Sequence, residues 1–178
     1  MSSSLRCLVL LLGLALAGCV TSTTPLLNTD SRVLPFLPGS TFEVYERDDA
    51  RAPWKKNPAR STFTADKSLV VRELDKSGKP KQDATYTFHP LGGERFLVQA
   101  QFKDGEPYAY GVLEVHNGEG VATGLNCKML DQEAFRRDGG TIADDFCKLD
   151  GAPDPLALLR KLAASPVGPQ VRYVPVAK

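Results

Sequence analysis

The sequence predicts a mainly β fold: an antiparallel meander of about 7–8 short strands that forms a barrel or partial barrel, with short C-terminal helices packed on it. Three observations lead to this prediction. Apolar and polar residues alternate in several short segments, which is typical of half-buried strands. Fifteen glycines and thirteen prolines supply frequent turns. The segments also follow one another at short, regular spacing, which favours a meander that closes and so removes exposed edges.

Seven segments carry the strand pattern, and each is joined to the next by a short connection. They are residues 41–46, 60–65, 68–74, 84–89, 96–103, 107–116 and 121–127. A charged stretch at 48–58 is predicted as a loop, and it contains the only tryptophan, Trp54.

The strongest local signal is Asp104-Gly105, a dipeptide that suits a tight hairpin turn. An even-length loop places even positions of the first strand on the same face as odd positions of the second. The apolar face then holds Phe96, Val98, Ala100, Phe102, Ala109, Gly111, Leu113 and Val115. The opposite face is mostly polar and holds Gln99, Gln101, Tyr108, Tyr110, Glu114 and His116, with Leu97 and Val112. The apolar face is therefore predicted to point inward.

The pattern changes towards the C-terminus. Residues 131–137 and 141–146 are predicted as short helical turns. Asp154 followed by Pro155 predicts a helix start, with aspartate as the N-cap and proline in the first turn. Leucines 156, 159 and 162 then lie at helical spacing and are expected to pack on the open side of the barrel. Residues 170–176 are predicted as a final edge strand.

Charge and length exclude several classes of protein. The 178 residues suit one domain. Lys plus Arg is 22 and Asp plus Glu is 21, a net charge of +1, so the chain has no basic field for binding nucleic acid. Charged residues at 24% and hydrophobic residues at 42% are typical of folded domains and exclude global disorder.

The N-terminus has the pattern of an export signal. Arg6 is its only charge, and an apolar run at 7–16 follows. This run is too short to span a bilayer, which needs about 20 apolar residues. The next residues, Leu16-Ala17-Gly18-Cys19, resemble the lipobox of Gram-negative bacterial lipoproteins, many of which are small and carry an uncharacterised β-rich periplasmic domain.

This resemblance implies cleavage before Cys19, a diacylglycerol on its thiol and, usually, an acyl group on the new amino group. Because each buried CH₂ contributes about 0.8 kcal/mol, two or three chains form a stable anchor. Val20 replaces the aspartate that tends to retain such proteins in the inner membrane, which implies the periplasmic face of the outer membrane. The alternative is an ordinary signal peptide cleaved nearby, with Cys19 incidental.

The predicted domain organisation follows from this cleavage site. Residues 1–18 are the signal peptide, residues 19–38 are the lipidated N-terminus and a tether, and residues 39–178 are the β-rich domain. The first part of the tether is expected to be flexible. Its apolar portion at 33–37 is expected to dock on the domain.

Two cysteines remain for the domain, since Cys7 leaves with the signal and Cys19 is lipidated. Cys127 and Cys147 form an even pair in a compartment where disulfides persist. A bridge between them closes a loop of about 20 residues. It contributes roughly 3 kcal/mol to stability if it acts by lowering the entropy of the unfolded chain. The alternative, a reactive or metal-binding pair, lacks the CxxC spacing and a nearby histidine.

No residue pattern predicts catalysis, a metal site or a cofactor. His89 and His116 lie at strand ends outside any nucleophile motif and are expected to be exposed. The acidic pairs at 48–49 and 144–145 lack the spacing of a calcium loop and are expected to be solvated.

The sequence therefore favours a non-enzymatic binding or scaffolding module, anchored to the membrane by lipid, with another envelope protein as partner. Its candidate contact face is Gln99, Gln101, Tyr108 and Tyr110, with Trp54 as a second contact point; the alternative is an ordinary solvated sheet face. The alternative function is a lipocalin-like carrier of a small apolar ligand, in a pocket lined by Phe88, Phe96 and Phe102, although these residues could equally fill the interior. An enzyme is the third hypothesis.

Overall fold

The computed structural model describes residues 18–37, 40–63, 68–74, 80–102 and 106–176. The strands are β1 (Val20–Ser22), β2 (Thr41–Arg47), β3 (Lys55–Phe63), β4 (Ser68–Leu74), β5 (Pro80–Gly92), β6 (Arg95–Gln101), β7 (Tyr108–His116), β8 (Glu119–Gly124), β9 (Thr141–Ala143), β10 (Phe146–Lys148) and β11 (Gln170–Pro175). The α-helices are α1 (Gln132–Arg137) and α2 (Pro155–Ala164), and short 3-10 helices lie at Thr29–Ser31 and Cys127–Met129.

Eight strands pair antiparallel in a ring. Strands β2 to β8 form a meander in which each strand pairs with the next. Strand β11 pairs with β8 on one side and with β2 on the other. The predicted mainly β fold, an antiparallel meander followed by a short C-terminal helix, is confirmed. The prediction that residues 170–176 form an edge strand is wrong, because β11 has a neighbour on both sides.

The register of β6 and β7 is the one that the alternation predicts. Phe96 pairs with Leu113, and Ala100 pairs with Ala109. The apolar faces of the ring meet in an inner cluster. Its buried members are Cys19, Phe42, Val44, Tyr86, Phe88, Val98, Ala100, Phe102, Ala109, Leu113, Ala122, Val171 and Tyr173. The Asp104-Gly105 turn lies outside the described residues.

Strand β3 begins at Lys55, inside the stretch that was predicted as a loop. Proline normally argues against a strand because it lacks the backbone N–H donor. Here Glu43 pairs with Arg60, while the next residue, Val44, pairs with Asn57. Two residues, Pro58 and Ala59, therefore fall in a bulge, where a missing donor does not break the ladder.

A second, outer cluster covers the other face of β6 and β7. Its buried members are Val20, Leu27, Leu97, Tyr110, Val112, Leu125, Cys127, Phe135, Cys147, Leu149, Ala152, Leu158, Leu159 and Ala163. These residues come from β1, β6, β7, β10, the two α-helices, the 3-10 helix at Cys127–Met129 and the connecting segments. The outer face of this hairpin is therefore a buried layer, whereas alternation alone predicted a mostly polar surface.

Both helices begin where the sequence predicts. The side chains of Asp131 and Asp154 accept hydrogen bonds from the backbone N–H of Ala134 and Ala157, which caps α1 and α2. The predicted helical turn at 141–146 is wrong. The chain instead forms the β9–β10 hairpin, with Asp144 and Asp145 in its turn at positive φ.

The predicted disulfide is present between Cys127 and Cys147, with an S–S distance of 2.09 Å. It joins the 3-10 helix after β8 to strand β10. Both cysteines are buried in the outer cluster. The bridge thus holds the short C-terminal hairpin against the ring.

Candidate functional site

The N-terminal segment is part of the domain, although the sequence predicted a flexible tether in its first part. Strand β1 lies between β7, to which it is antiparallel, and β10, to which it is parallel. Residues 18–27 form an N-terminal arm. Val20 and Leu27 belong to the outer cluster, so burial of apolar side chains stabilises the arm on the sheet.

Backbone hydrogen bonds hold the first half of the arm. The N–H of Cys147 donates to the carbonyl of Cys19 at 3.1 Å, and the N–H of Leu149 donates to that of Thr21 at 2.8 Å. The N–H of Val20 donates to the carbonyl of Leu125 at 3.0 Å. Such bonds recognise an extended backbone and not particular side chains.

Two predicted contact residues also hold the arm. Gln99 Oε1 accepts hydrogen bonds from the N–H of Leu26 at 3.0 Å and of Leu27 at 3.2 Å. The Tyr110 hydroxyl lies 2.6 Å from Ser22 Oγ. Burial raises the pKa of Tyr110 to about 12, so this hydroxyl remains protonated at neutral pH.

The predicted contact face is therefore covered by the chain's own arm. Gln99 is 7% exposed and Tyr110 is 1% exposed. Gln101 is partly buried, and Tyr108 packs against the outer cluster. The expectation of an open polar face is therefore wrong for Gln99 and Tyr110. The alternation gave their side of the sheet, but it contains no information about what packs there.

Asp150 fixes the middle of the arm. Its Oδ1 accepts a hydrogen bond from the N–H of Thr23 at 2.8 Å and another from Thr23 Oγ1 at 2.9 Å. The carboxylate thus binds both the backbone and the hydroxyl of one residue. Nothing in the sequence pattern marked Asp150, because its partner lies 127 residues away.

Cys19, the expected lipidation site, is 1% exposed and belongs to the inner cluster. It is not disulfide-bonded. Burial raises the pKa of its thiol to about 12, so the sulfur is protonated at neutral pH. Gly18, the residue before Cys19, accepts a hydrogen bond at its carbonyl from the backbone N–H of Cys127.

A Ser–His contact that the sequence did not predict joins the N-terminal segment to β5. Ser31 Oγ lies 2.8 Å from His89 Nδ1, and Thr87 Oγ1 lies 3.1 Å from His89 Nε2. His89 is buried, so the expectation of an exposed histidine is wrong. Burial, with a contribution from Arg32, lowers the pKa of His89 to about 4. A neutral imidazole of such low basicity stabilises the docked segment and is a weak general base.

The segment at 33–37 docks in part, as expected. The N–H of Val33 donates to the carbonyl of Phe88 at 2.9 Å. Leu34 and Phe36 pack against the inner cluster. Leu37 is 79% exposed.

The second predicted contact point, Trp54, is partly buried. The guanidinium of Arg47 lies 4.2 Å from the centre of its ring, which is a cation–π contact. Its cationic neighbour Lys56 pairs instead with Glu43 at 2.7 Å. Part of the indole surface is therefore already used within the domain.

The three phenylalanines of the predicted pocket lie together in the ring. Phe88 and Phe102 are buried in the inner cluster, and Phe96 packs against it. Phe102 meets Tyr86 edge-on at a centroid distance of 6.1 Å. A ligand pocket among these residues stays a prediction.

Other predicted residues have ordinary surface roles. The side chain of His116 is 84% exposed, as expected, and its Nδ1 lies 3.5 Å from Glu94 Oε2. Asp145 pairs with Lys128 at 2.9 Å. Among the described residues, no group of three or more His, Cys, Asp or Glu side chains is placed to hold a metal ion. Within the same residues, no helix has the length and hydrophobicity to cross a membrane.

Comparison with known proteins assigns no family. No family profile and no solved structure matches the chain. The chain is similar to human nexilin, with 34% identity over 102 residues. This similarity covers 57% of the chain but only 12% of nexilin, so it shows no family membership.

Proposed function

We propose that the protein is a membrane-anchored envelope lipoprotein whose domain is a non-enzymatic binding or scaffolding module. The anchor is supported by Leu16-Ala17-Gly18-Cys19, which has the lipobox pattern after an apolar run. The Cys127–Cys147 bridge supports an oxidising compartment, because disulfides persist there. The proposed location is the periplasmic face of the outer membrane, given Val20 after the cysteine.

The binding role is carried by one observation, the site on β6 and β7 that holds an extended segment. Gln99 presents a carbonyl oxygen to two successive backbone N–H groups. Strand β7 adds a ladder edge beside it. Main-chain recognition of this kind is a common way to bind extended peptides.

An enzymatic role has weaker support. The Ser31–His89 contact is the arrangement closest to nucleophilic catalysis among the described residues, but Thr87 occupies the second nitrogen. A hydroxyl there stabilises an imidazolium less than a carboxylate does. The low pKa of His89 also disfavours its taking a proton from serine.

Metabolic labelling tests the anchor. The full chain is expressed in a Gram-negative host that is fed an alkynyl fatty acid, and the Cys7→Ser and Cys19→Ser variants are treated alike. We expect label and membrane association for the wild type and for Cys7→Ser, because Cys7 lies upstream of the cleavage site. We expect neither for Cys19→Ser. An unlabelled wild type, or a labelled Cys19→Ser variant, contradicts the proposal.

A further inference from the structure

Cys19 cannot carry a membrane-inserted lipid at the place where the structure holds it. Its side chain is 1% exposed, and Val20 beside it is fully buried. Acyl chains on Sγ must run into a bilayer, so the sulfur must lie at the surface of the domain. Cleavage before Cys19 also removes Gly18, whose carbonyl accepts a hydrogen bond from Cys127. The lipidated chain must therefore release at least the start of the arm.

Release of β1 leaves backbone groups of its two neighbours, β7 and β10, without hydrogen-bond partners. The N–H groups of Cys147 and Leu149 lose the carbonyl acceptors of Cys19 and Thr21. Strand β7 loses Thr21 and Ser22 as the pairing partners of Ala109 and Tyr108. A slot of this kind, with strand edges on both sides, favours uptake of another strand.

The arm itself shows what the slot accepts. It is an extended segment, and residues 19–29 carry no charge. Gln99 and Asp150 bind its backbone N–H groups, and Tyr110 binds a hydroxyl. The outer cluster receives its apolar side chains, Val20 at one end and Leu27 at the other.

We propose that lipid on Cys19 releases the whole arm, including the Leu26 and Leu27 contacts to Gln99, and that the emptied slot is a receptor for an extended, uncharged peptide segment of another envelope protein. The incoming strand runs parallel to β10 and antiparallel to β7, with a hydroxyl residue at the Ser22 position. The inference rests on the proposed lipidation of Cys19. Without lipid the arm occupies the slot and excludes the partner.

Hydrogen exchange and peptide binding test the inference together. The full lipidated chain in vesicles of phosphatidylethanolamine and phosphatidylglycerol is compared with the unlipidated Cys19→Ser chain. We expect fast exchange at the Cys147 and Leu149 amides only in the lipidated chain. The probe is an acetylated, fluorescent peptide of residues 20–28. We expect it to bind the lipidated chain at least about tenfold more tightly, because no arm competes with it.

Matched variants identify the site of peptide binding. In the lipidated chain, Gln99→Leu removes two backbone acceptor contacts and is expected to weaken the peptide about tenfold. Gln170→Leu makes the same chemical change in β11, which pairs with β2 and β8 and not with the arm, and is expected to leave binding unchanged. A peptide with proline at the Thr21 position is expected not to bind.

The outcomes separate the two proposals. A mass that shows no lipid on Cys19 overturns the proposed anchor and the inference with it. Lipid on Cys19 with the Cys147 and Leu149 amides still protected overturns the inference alone, because the arm is then still docked. Equal peptide binding to both chains also overturns it. So does peptide binding that maps to the released arm of a chain and not to the slot.

Discussion

Two buried tyrosines give a matched test at the scale of single residues. The Tyr110 hydroxyl contacts Ser22 Oγ and the N–H of Leu26, whereas the Tyr173 hydroxyl has no hydrogen-bond partner among the described residues. We predict that Tyr110→Phe lowers the free energy of unfolding by about 1 kcal/mol, because it removes the buried hydrogen bond to Ser22 and the second acceptor of the Leu26 N–H. Tyr173→Phe is predicted to be neutral or stabilising, because it removes an unsatisfied hydroxyl.

Urea unfolding of the oxidised, unlipidated Cys19→Ser chain measures both effects, since the arm must be docked for Tyr110 to have its partners. Equal losses in the two variants would show that the hydroxyl contacts do not distinguish the sites.

The buried His89 is expected to make the free energy of unfolding depend on pH. Its pKa is lowered to about 4 from an ordinary value of 6.5 by burial, with a contribution from Arg32. The unfolded chain therefore takes up the proton first. The stabilisation is complete above pH 6.5 and is lost as the pH falls towards 4, by at most about 3 kcal/mol.

The test compares unfolding free energies between pH 7 and pH 4 for the wild type and two variants. His89→Asn is predicted to flatten the profile, because asparagine does not titrate. His116→Asn is the control, because that side chain is exposed. The same slope for all three chains would rule out His89 as the source.

At the scale of residues, the sequence predicted which face of a strand each side chain lies on, but not what covers that face. The alternation placed Gln99 and Tyr110 opposite the apolar face, which is where they lie. Their cover comes from Leu26 and Ser22, which lie 73 and 88 residues away in the chain. Alternation describes one strand and its neighbour, so a segment that packs from far along the chain leaves no mark in it.

At the scale of elements, the disulfide and the β9–β10 hairpin act together. Cys147 lies in β10, and its N–H donates to the carbonyl of Cys19. We predict that the double variant Cys127→Ser/Cys147→Ser loses about 3 kcal/mol of stability, the chain-entropy value for this loop. The arm is also predicted to loosen, because β10 is its neighbour.

Thermal unfolding measures the first effect, and exchange at the Leu149 amide measures the second, both in the Cys19→Ser background. A variant as stable as its parent, with Leu149 still protected, would contradict this role for the bridge.

Each element that the sequence failed to predict has its own local cause. Strands β9 and β10 have three residues each, too few for a period to show. Their turn holds Asp144 and Asp145 at φ of 52° and 69°, a conformation for which glycine is the usual signal. The start of β3 was missed because Pro58 indicates a loop, and only the bulge at Glu43/Val44 makes it compatible with a strand.

At the scale of the whole molecule, β11 completes the ring. The sequence predicted seven strands in order, and their meander is confirmed. The pairing of β11 with both β2 and β8 could not be predicted, because it joins the end of the chain to a strand more than 120 residues earlier. We predict that a chain ending at Pro169 aggregates, because the edges of β2 and β8 are then exposed. A chain ending at Val176 retains β11 and is predicted to stay monomeric in size-exclusion chromatography; equal behaviour of the two chains would contradict this role for β11.

The most direct test of the lipid anchor is the intact mass of the full chain extracted from host membranes under non-reducing conditions. We predict a chain that begins at Cys19, carries a diacylglycerol with or without an N-acyl group, and lacks two hydrogens because of the Cys127–Cys147 bridge. A chain that retains residues 1–18, or one whose Cys19 is an unmodified thiol, would contradict the anchor on which the proposed function depends.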